Sequence, residues 1–573
     1  MKKEILKVST RIFVLALGVV FTVAASAALA ATPANTFSQR CTNIIVGKDA
    51  TVDGSTIGTY CCDGALYAEV KVIPGRVYGP GKMMPIYYRP FPWNYDQYLQ
   101  YLDEEELVGL VPQVRRSYRY VDIRVWYDDQ HVGGINEYGV TVGETTINGR
   151  SELSNKKGLF GAYTNYPESS LLTLALQRAK TAREAIQVMG SLAEEYGYHA
   201  PMGSEHITVT DGDEAWAFEI FGPGPDWEPG CGKPGAVWCA QRIPDDHVGV
   251  SANRSRIGLV PTEENDYFMF SPNIRSLAED MGWWNGVEPF IWYDAYAPST
   301  SPNLREWAVL NLVAPSLSLD PEAPRLPFSV KPDNPVSVQD IMAIHRDTYE
   351  GTEYDVTEDP AFYIDGKKSP MACPFGPRDL HRLLGVSAPR AVATASSVFS
   401  YVSQVRADLP NPIKGCMWFG FGPAASTCYL PLYSGVTKLP KSWGDTELTR
   451  VDREDSWWAF NLVDTLPLIK WQHAIEDIKD VRDPAEACFF ENQPDFENAV
   501  SNLYFRRWPG KAKKIAQKWV TEYTNACMNA VADGYWELVD YLLFKYYFQG
   551  SWGAPQELPA INCPSYLWHN RGR

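Results

Sequence analysis

Branched and apolar positions cluster into strand-like runs soon after residue 40. "CTNIIVG" and "STIGTY" are rich in branched residues, and "KDATVDG" between them carries turn formers, so the text reads strand, turn, strand. With Thr51 at the centre of the turn, position n on the first arm lies opposite about 102 minus n on the second. That sets Cys41 across from the window Tyr60 to Asp63. A second hairpin reads "HITVTDGDEAWAFEIFG", with Asp211-Gly212 supplying the turn. Further strands are expected at "GVTVGETTI", "GAVWCAQRI" and "CMWFGFG". Between them, "TAREAIQVMGSLAEEYGY" predicts a helix. Thr181 and Glu184 have capping-box spacing, Ile186, Met189, Ala193 and Tyr196 share a face, and Gly197 closes it.

From about residue 446 the pattern changes to long amphipathic segments broken by Pro467, Pro484, Pro494 and Pro509. The pattern as a whole predicts an α+β protein with a helical C-terminal region packed on a mixed core. No internal repeat of fixed period and no low-complexity segment interrupts it.

Composition adds scale. The 573 residues are 45% hydrophobic and 21% charged, enough to bury one large core or two ordinary ones, so disorder is not the default. The first 30 residues divide into a basic start, an apolar run from Ile12 to Val23 and the small-residue site Ala28-Leu29-Ala30, the layout of a removable secretory signal. The chain is expected to be exported, to the periplasm or the extracellular space. No later stretch reaches the roughly 18 uninterrupted apolar residues that a membrane-spanning helix needs. The formal net charge is −17, and loss of residues 1–40 would leave about −21 by the same count, which argues against nucleic acid or an anionic membrane as partner. Whether the chain forms a homo-oligomer is left open.

Export into an oxidising compartment would let many of the 11 cysteines pair, with one left over from the odd count, and several unpaired buried cysteines are the alternative. No CxxC, HExxH or paired CxxC knuckle occurs, so no metal site is expected. "GFGPAA" imitates a dinucleotide fingerprint, but Pro423 and the strand-like "STCYLPLY" after it contradict the strand, glycine turn and helix that the fingerprint requires. The 19 tryptophans are read as core and helix contacts instead of sugar platforms.

Cys41 carries the candidate chemistry. A thiolate is a strong nucleophile, and an N-terminal cysteine brings its own base, because a free α-amine titrates near 7.7 to 8.0. Cys41 would become N-terminal if the signal were cut after Ala30 and the spacer "ATPANTFSQR", residues 31–40, were then removed as a propeptide. A structural or disulfide-bonded cysteine is the bland alternative. The eight histidines are scattered and none is needed as base; His206 and His247 read as hydrogen-bonded strand residues.

Several longer motifs give Cys41 a context: "CTNIIVGKDATVDGST", "NEYGVTVGETT", "LALQRAKTAREAIQVMGSLAEEYGY", "GAVWCAQRIPDD", "GVSANRSRIG", "YVSQVRADLPNPIKGCMWFGFGPAASTCYLPLYSGV" and "REDSWWAFNLV". Together they resemble the C69 dipeptidases, members of the N-terminal nucleophile hydrolases. The resemblance implies an αββα four-layer sandwich over residues 41–445 with the helical region 446–573 packed on it, a processed Cys41 as nucleophile, no cofactor, and hydrolysis of dipeptides or related small amides.

The resemblance also proposes roles for individual residues. Asp63 matches the acid that closes the second strand of the family hairpin, and the register places it near Cys41. Many relatives have arginine three residues before that acid, where this chain has Tyr60. In the wider group with penicillin V acylases and bile salt hydrolases, the oxyanion-hole asparagine falls at Thr146 here, and "SAN" supplies Asn253 as a second donor. Arg390 matches the group's distal arginine. Glu144, a carboxylate near the nucleophile, could receive a substrate ammonium or sit at a solvated strand end. Asp63 as a plain turn acid, and Asn253 bonding only loop backbone, are the structural readings. Two rival functions stay open: an acylase of the same fold acting on N-acyl amides, and a binding protein that keeps the fold without catalysis.

Overall fold

In the computed structural model, which describes residues 41–64, 67–88, 106–125, 130–161, 169–199, 204–376, 378–446, 449–505, 509–547 and 557–564, the first hairpin lies at the middle of a sheet. Strands Asn43–Val46 and Thr56–Asp63 run antiparallel, with Ile45 opposite Gly58 and Val46 opposite Ile57. The connection is longer than a tight turn about Thr51: a short 3-10 turn covers Lys48–Ala50, and Thr51 Oγ1 donates to the Ser55 carbonyl at 2.8 Å. An outlying bridge joins Thr42 to Cys61. Cys41 therefore stands opposite Cys62, inside the expected window. The expected signal and spacer, residues 1–40, lie outside the described residues.

Seven strands make this sheet, in the order Ser329–Val330, Val248–Ser251, Asn43–Val46, Thr56–Asp63, Ser397–Val405, Gly415–Phe421 and Leu430–Tyr433. A second sheet has eight, in the order Phe268–Phe270, Val237–Arg242, Ala215–Phe221, Ser204–Thr210, Thr141–Ile147, Gln130–Asn136, Tyr120–Val125 and Ala68–Ile73. Neighbours in both are antiparallel, and every strand anticipated from sequence is present. The sheets touch through polar and glycine contacts as well as apolar ones. Tyr401 Oη donates to the Val142 carbonyl at 2.8 Å, Asn43 Nδ2 to Thr208 Oγ1 at 3.3 Å, and Thr145 Oγ1 to Ser251 Oγ at 3.1 Å.

Helices cover the sheets. Leu171–Arg178 and Ala182–Tyr196 bury Leu172, Ile186 and Met189 against Val142, Val209 and Phe218 of the eight-stranded sheet. The predicted cap forms: Thr181 Oγ1 accepts from the Glu184 N–H at 3.2 Å, and Gly197 takes φ 85°. The Glu184 carboxylate reaches one residue further back than a capping box, to the Lys180 N–H at 2.7 Å. Against the seven-stranded sheet lie Val338–His345, Ser456–Thr465, Trp471–Tyr504 and Pro509–Leu542. Trp418 stacks on Phe490 with ring centroids 3.9 Å apart, and Tyr433 meets Phe496 at 5.3 Å. Two antiparallel sheets with helices packed on them are an α+β fold. No helix among the described residues is long and apolar enough to cross a membrane.

Two expectations need correction. Pro467 and Pro509 stand at helix boundaries, but Trp471–Tyr504 runs through both Pro484 and Pro494. Each interior proline costs about 3 kcal/mol, and the burial of Val481, Ala485, Phe489, Phe496 and Val500 along the same helix offsets that cost. The cysteines do not pair widely: Cys488–Cys563 is the one disulfide among the described residues, and eight of the nine free cysteines are buried, Cys41, Cys61 and Cys62 among them. The Asp211-Gly212 turn is present between Thr210 and Ala215, and Gly212 is absent from the glycines with positive φ. A Cβ there would lie 2.8 Å from the Ala407 backbone, so close approach, not turn type, requires the glycine.

Candidate active site

Register and alternation decide what surrounds Cys41. Thr42 and Cys61 exchange backbone hydrogen bonds of 3.1 and 3.0 Å, which leaves Cys41 and Cys62 as the next pair outward. Tyr60 and Cys62 leave the strand on the side of Cys41, towards the second sheet; Thr59, Cys61 and Asp63 leave it on the other side. Cys41 Sγ lies 3.5 Å from Tyr60 Oη and 4.0 Å from Glu144 Oε1, and the Cys62 thiol is within hydrogen-bonding reach.

Tyr60 reaches Glu144 because two glycines let it pass. Gly133 and Gly143 are opposite each other in the second sheet, and their missing Cβ positions would lie 3.3 Å from Tyr60 Cδ1 and 3.2 Å from Tyr60 Cβ. The Tyr60 hydroxyl then donates to Glu144 Oε1. Glu144, Thr146 and Glu205 share one face of that sheet, with Thr146 directly opposite Glu205. The two carboxyls lie close enough to interact with each other, and both are close to Thr146. Glu144 is 2% and Glu205 4% exposed.

Burial sets the electrostatics. It pushes the Cys41 thiol well above the ordinary thiol range, with Cys62 and the charge of Glu144 adding to the rise, so the thiol is held protonated and would become a thiolate only with a base beside it. Burial likewise raises Glu144, and it raises Glu205 further with the help of its acidic neighbour. Two adjacent buried carboxyls do not both ionise, and one proton stays with the pair.

Arg305 holds the other side. It stands in the first turn of helix Leu304–Val313, capped by Asn303, whose Oδ1 accepts from the Arg305 N–H at 3.2 Å. Its Nη1 donates to the Cys41 carbonyl at 2.6 Å and to Thr42 Oγ1 at 3.0 Å. Its Nη2 donates to the Ala252 carbonyl at 3.1 Å and to Asn253 Oδ1 at 2.9 Å. Asn253 has φ 62°, a left-handed conformation that asparagine tolerates better than most residues, and its Nδ2 donates to the Thr146 carbonyl at 2.8 Å. Next to Arg305, Glu306 binds Arg254 and Arg256 and so fixes the "SANRSR" loop to this helix.

The sequence candidates thus fall into two groups. Cys41, Glu144, Thr146 and Asn253 are joined by direct contacts or through Arg305 and the Thr146 carbonyl. Thr146 faces the two carboxyls on its own side of the sheet, whereas an oxyanion donor would have to point at substrate. Asp63 and Arg390 pair with one another on the opposite side of the strand, where Ser397 Oγ also donates to Asp63 Oδ1 at 2.8 Å. Sequence reasoning missed Arg305 and Glu205. The signals that point to them are an Arg-Glu pair in the otherwise apolar helix "LREWAVLNLV" and an acid inside the buried strand "SEHITVT". An open cleft of about 980 Å³ between residues 339–374 and helix Trp471–Tyr504 shares no residue with this site.

The site thus holds a buried thiol at the head of a strand, with its carbonyl bound by a guanidinium and two buried carboxyls beside it. Comparison with known proteins gives the family: the model of peptidase family C69 matches residues 40–483. The chain belongs to that family and is a peptidase. It is 25% identical over 424 residues to "Dipeptidase A" of Lactobacillus helveticus, which covers 71% of this chain and 77% of that protein. It is also 25% identical over 433 residues to "Probable dipeptidase B" of Lactococcus lactis subsp. lactis (strain IL1403), covering 73% and 79%. With "Dipeptidase" of Bifidobacterium longum (strain NCC 2705) the identity is 24% over 464 residues, covering 74% and 76%.

Proposed function

We propose that the protein is an exported dipeptidase of the N-terminal nucleophile kind, with an αββα sandwich fold and mature Cys41 as its nucleophile. The observation that carries this reading is the anchoring of Cys41. Arg305 fixes its carbonyl and links it to Asn253, while its sulfur faces Tyr60 and Glu144. Support for processing comes from the family match, which starts one residue before Cys41. Support for export comes from the signal-like first 30 residues and from the Cys488–Cys563 disulfide.

In this mechanism the α-amine of Cys41 takes the thiol proton, directly or through a water, and sulfur attacks the peptide carbonyl. Donors around Asn253 and the backbone near Thr146 hold the tetrahedral oxyanion; the loss of one should lower turnover about 100-fold to 1000-fold. The C–N bond breaks, the departing amine takes the proton from the α-ammonium, and a thioester remains. Water then attacks the thioester, releases the acid and restores the thiol.

Two measurements test the reading together. Mass spectrometry of purified active protein should show a chain that begins at Cys41, and one beginning at Ala31 would refute the processing step. Folded Cys41→Ala protein should hydrolyse no dipeptide, and Cys41→Ser very little, since a hydroxyl is the poorer nucleophile near neutral pH.

A further inference from the structure

We propose that Glu144 and Glu205, paired side by side, form the subsite that receives the α-ammonium of the substrate. The proposal rests on the dipeptidase reading above and adds the chemical feature by which a substrate is chosen, a free α-amine.

Four observations lead to it. The pair is built by strand register, with Thr146 opposite Glu205 and Glu144 two residues earlier on the same face, so its geometry belongs to the sheet and not to a loop. Both side chains are more than nine-tenths buried, and Oε2 of each is buried without an N–H or O–H donor. Neither makes an ion pair among the described residues, so the negative charge left after one proton is shared has no cation to meet it. An uncompensated charge of that kind costs several kcal/mol, which an incoming ammonium with three donors would offset. Finally, Glu144 Oε1 is 4.0 Å from Cys41 Sγ.

That last distance suits an α-amine. In a dipeptide the α-nitrogen is about 2.5 Å from the carbonyl carbon under attack. A sulfur about 3 to 3.5 Å from that carbon and a carboxylate about 2.8 Å from that nitrogen close comfortably over a 4.0 Å base. The Tyr60 hydroxyl, donating to Oε1, orients the Glu144 carboxyl with Oε2 left to face a ligand. An N-acylated amide offers one neutral N–H in place of three charged ones and would leave the pair unmatched. Glu205 is thereby a specificity residue, and the same pair sets a dipeptidase apart from an acylase.

The test compares a dipeptide with its N-acetyl form on the wild type, Glu205→Gln and Glu144→Gln, each confirmed as folded by its melting temperature. Wild type should prefer the free amine in kcat/KM, and either glutamine variant should reduce that preference about 10-fold to 100-fold, mainly through KM. An unchanged preference in both folded variants overturns the proposal. If the wild type hydrolyses neither compound, the dipeptidase reading fails and calorimetric binding of the same two compounds decides the subsite. Binding of the free dipeptide alone, lost in Glu205→Gln, upholds it. Equal binding of both compounds, or binding of neither, overturns it.

Discussion

Cys62 stands directly across the hairpin from Cys41, with their thiols side by side, whereas Cys61 points the other way, its sulfur 3.2 Å from Ser397 Oγ. The Cys41 thiol, the proposed nucleophile, therefore has one neighbour able to capture it. Treatment with a low-molecular-weight disulfide such as oxidised glutathione should form the Cys41–Cys62 bond, reduce two equivalents of sulfur in the reagent and lower the intact mass by about two hydrogens. Activity should fall, and a dithiol reductant should restore it. Cys61→Ser should respond like the wild type. Cys62→Ser should stay active and form no internal bond. An intact mass that never shows the loss of two hydrogens would contradict the pairing.

Arg305 binds both Cys41 and Asn253, and under the proposed mechanism it is a positioning residue. Arg305→Lys keeps the charge but not the planar fork that spans four acceptors. It should lower kcat by about 10-fold to 100-fold with little change in KM, and leave the melting temperature close to that of the wild type. Arg305→Met, which strands buried acceptors, should lower the melting temperature as well. Steady-state kinetics and thermal melts on both variants separate positioning from support of the fold.

The parts of this fold that were legible from sequence are those whose cause is local. The hairpin at Cys41, the strand pair around Asp211 and the helix Ala182–Tyr196 each carry their signals within about twenty residues, and the register came out within a residue because one connection limits it. What was not legible depends on partners far along the chain. Arg305 meets Cys41 across 264 positions, and Glu205 joins Glu144 only when two strands pair. The helix that passes through Pro484 and Pro494 is held by packing, and no local propensity predicts that. Composition likewise said how many thiols there were and nothing about which were buried.

Gly143 offers a test of the passage through which Tyr60 enters the site. A Cβ at this position would lie 2.6 Å from Tyr401 Oη and 3.2 Å from Tyr60 Cβ, and Tyr401 is itself bonded to the Val142 carbonyl. Gly143→Ala should therefore separate the sheets locally, cost about 1 to 3 kcal/mol, and lower activity more than stability because the Tyr60 to Glu144 contact is displaced. Gly510→Ala, in open space at the start of the last long helix, is the control and should be neutral or slightly stabilising. Equal melting temperatures and equal activity for the two variants would argue against a tight passage.

Asp464 gives the fold a pH dependence that can be measured away from the site. It lies near the end of helix Ser456–Thr465, buried, accepting from Ser426 Oγ at 3.2 Å, and burial raises it to about 7. Its folded value is above the unfolded one, near 3.9, so the folded chain binds this proton more tightly. The stability it contributes is fully present below about pH 4 and is lost as pH rises through about 7. The Cys373 thiol, which feels its charge, is pushed up to about 12 and does not titrate in that window. Asp464→Asn keeps the shape and removes the titration. The variant should match or trail the wild type near pH 4 and exceed it at pH 8 by on the order of 4 kcal/mol at most, with a flatter curve between. Melting temperatures of both proteins from pH 4 to 8 decide the point, and parallel curves would mean that Asp464 is not the group that titrates.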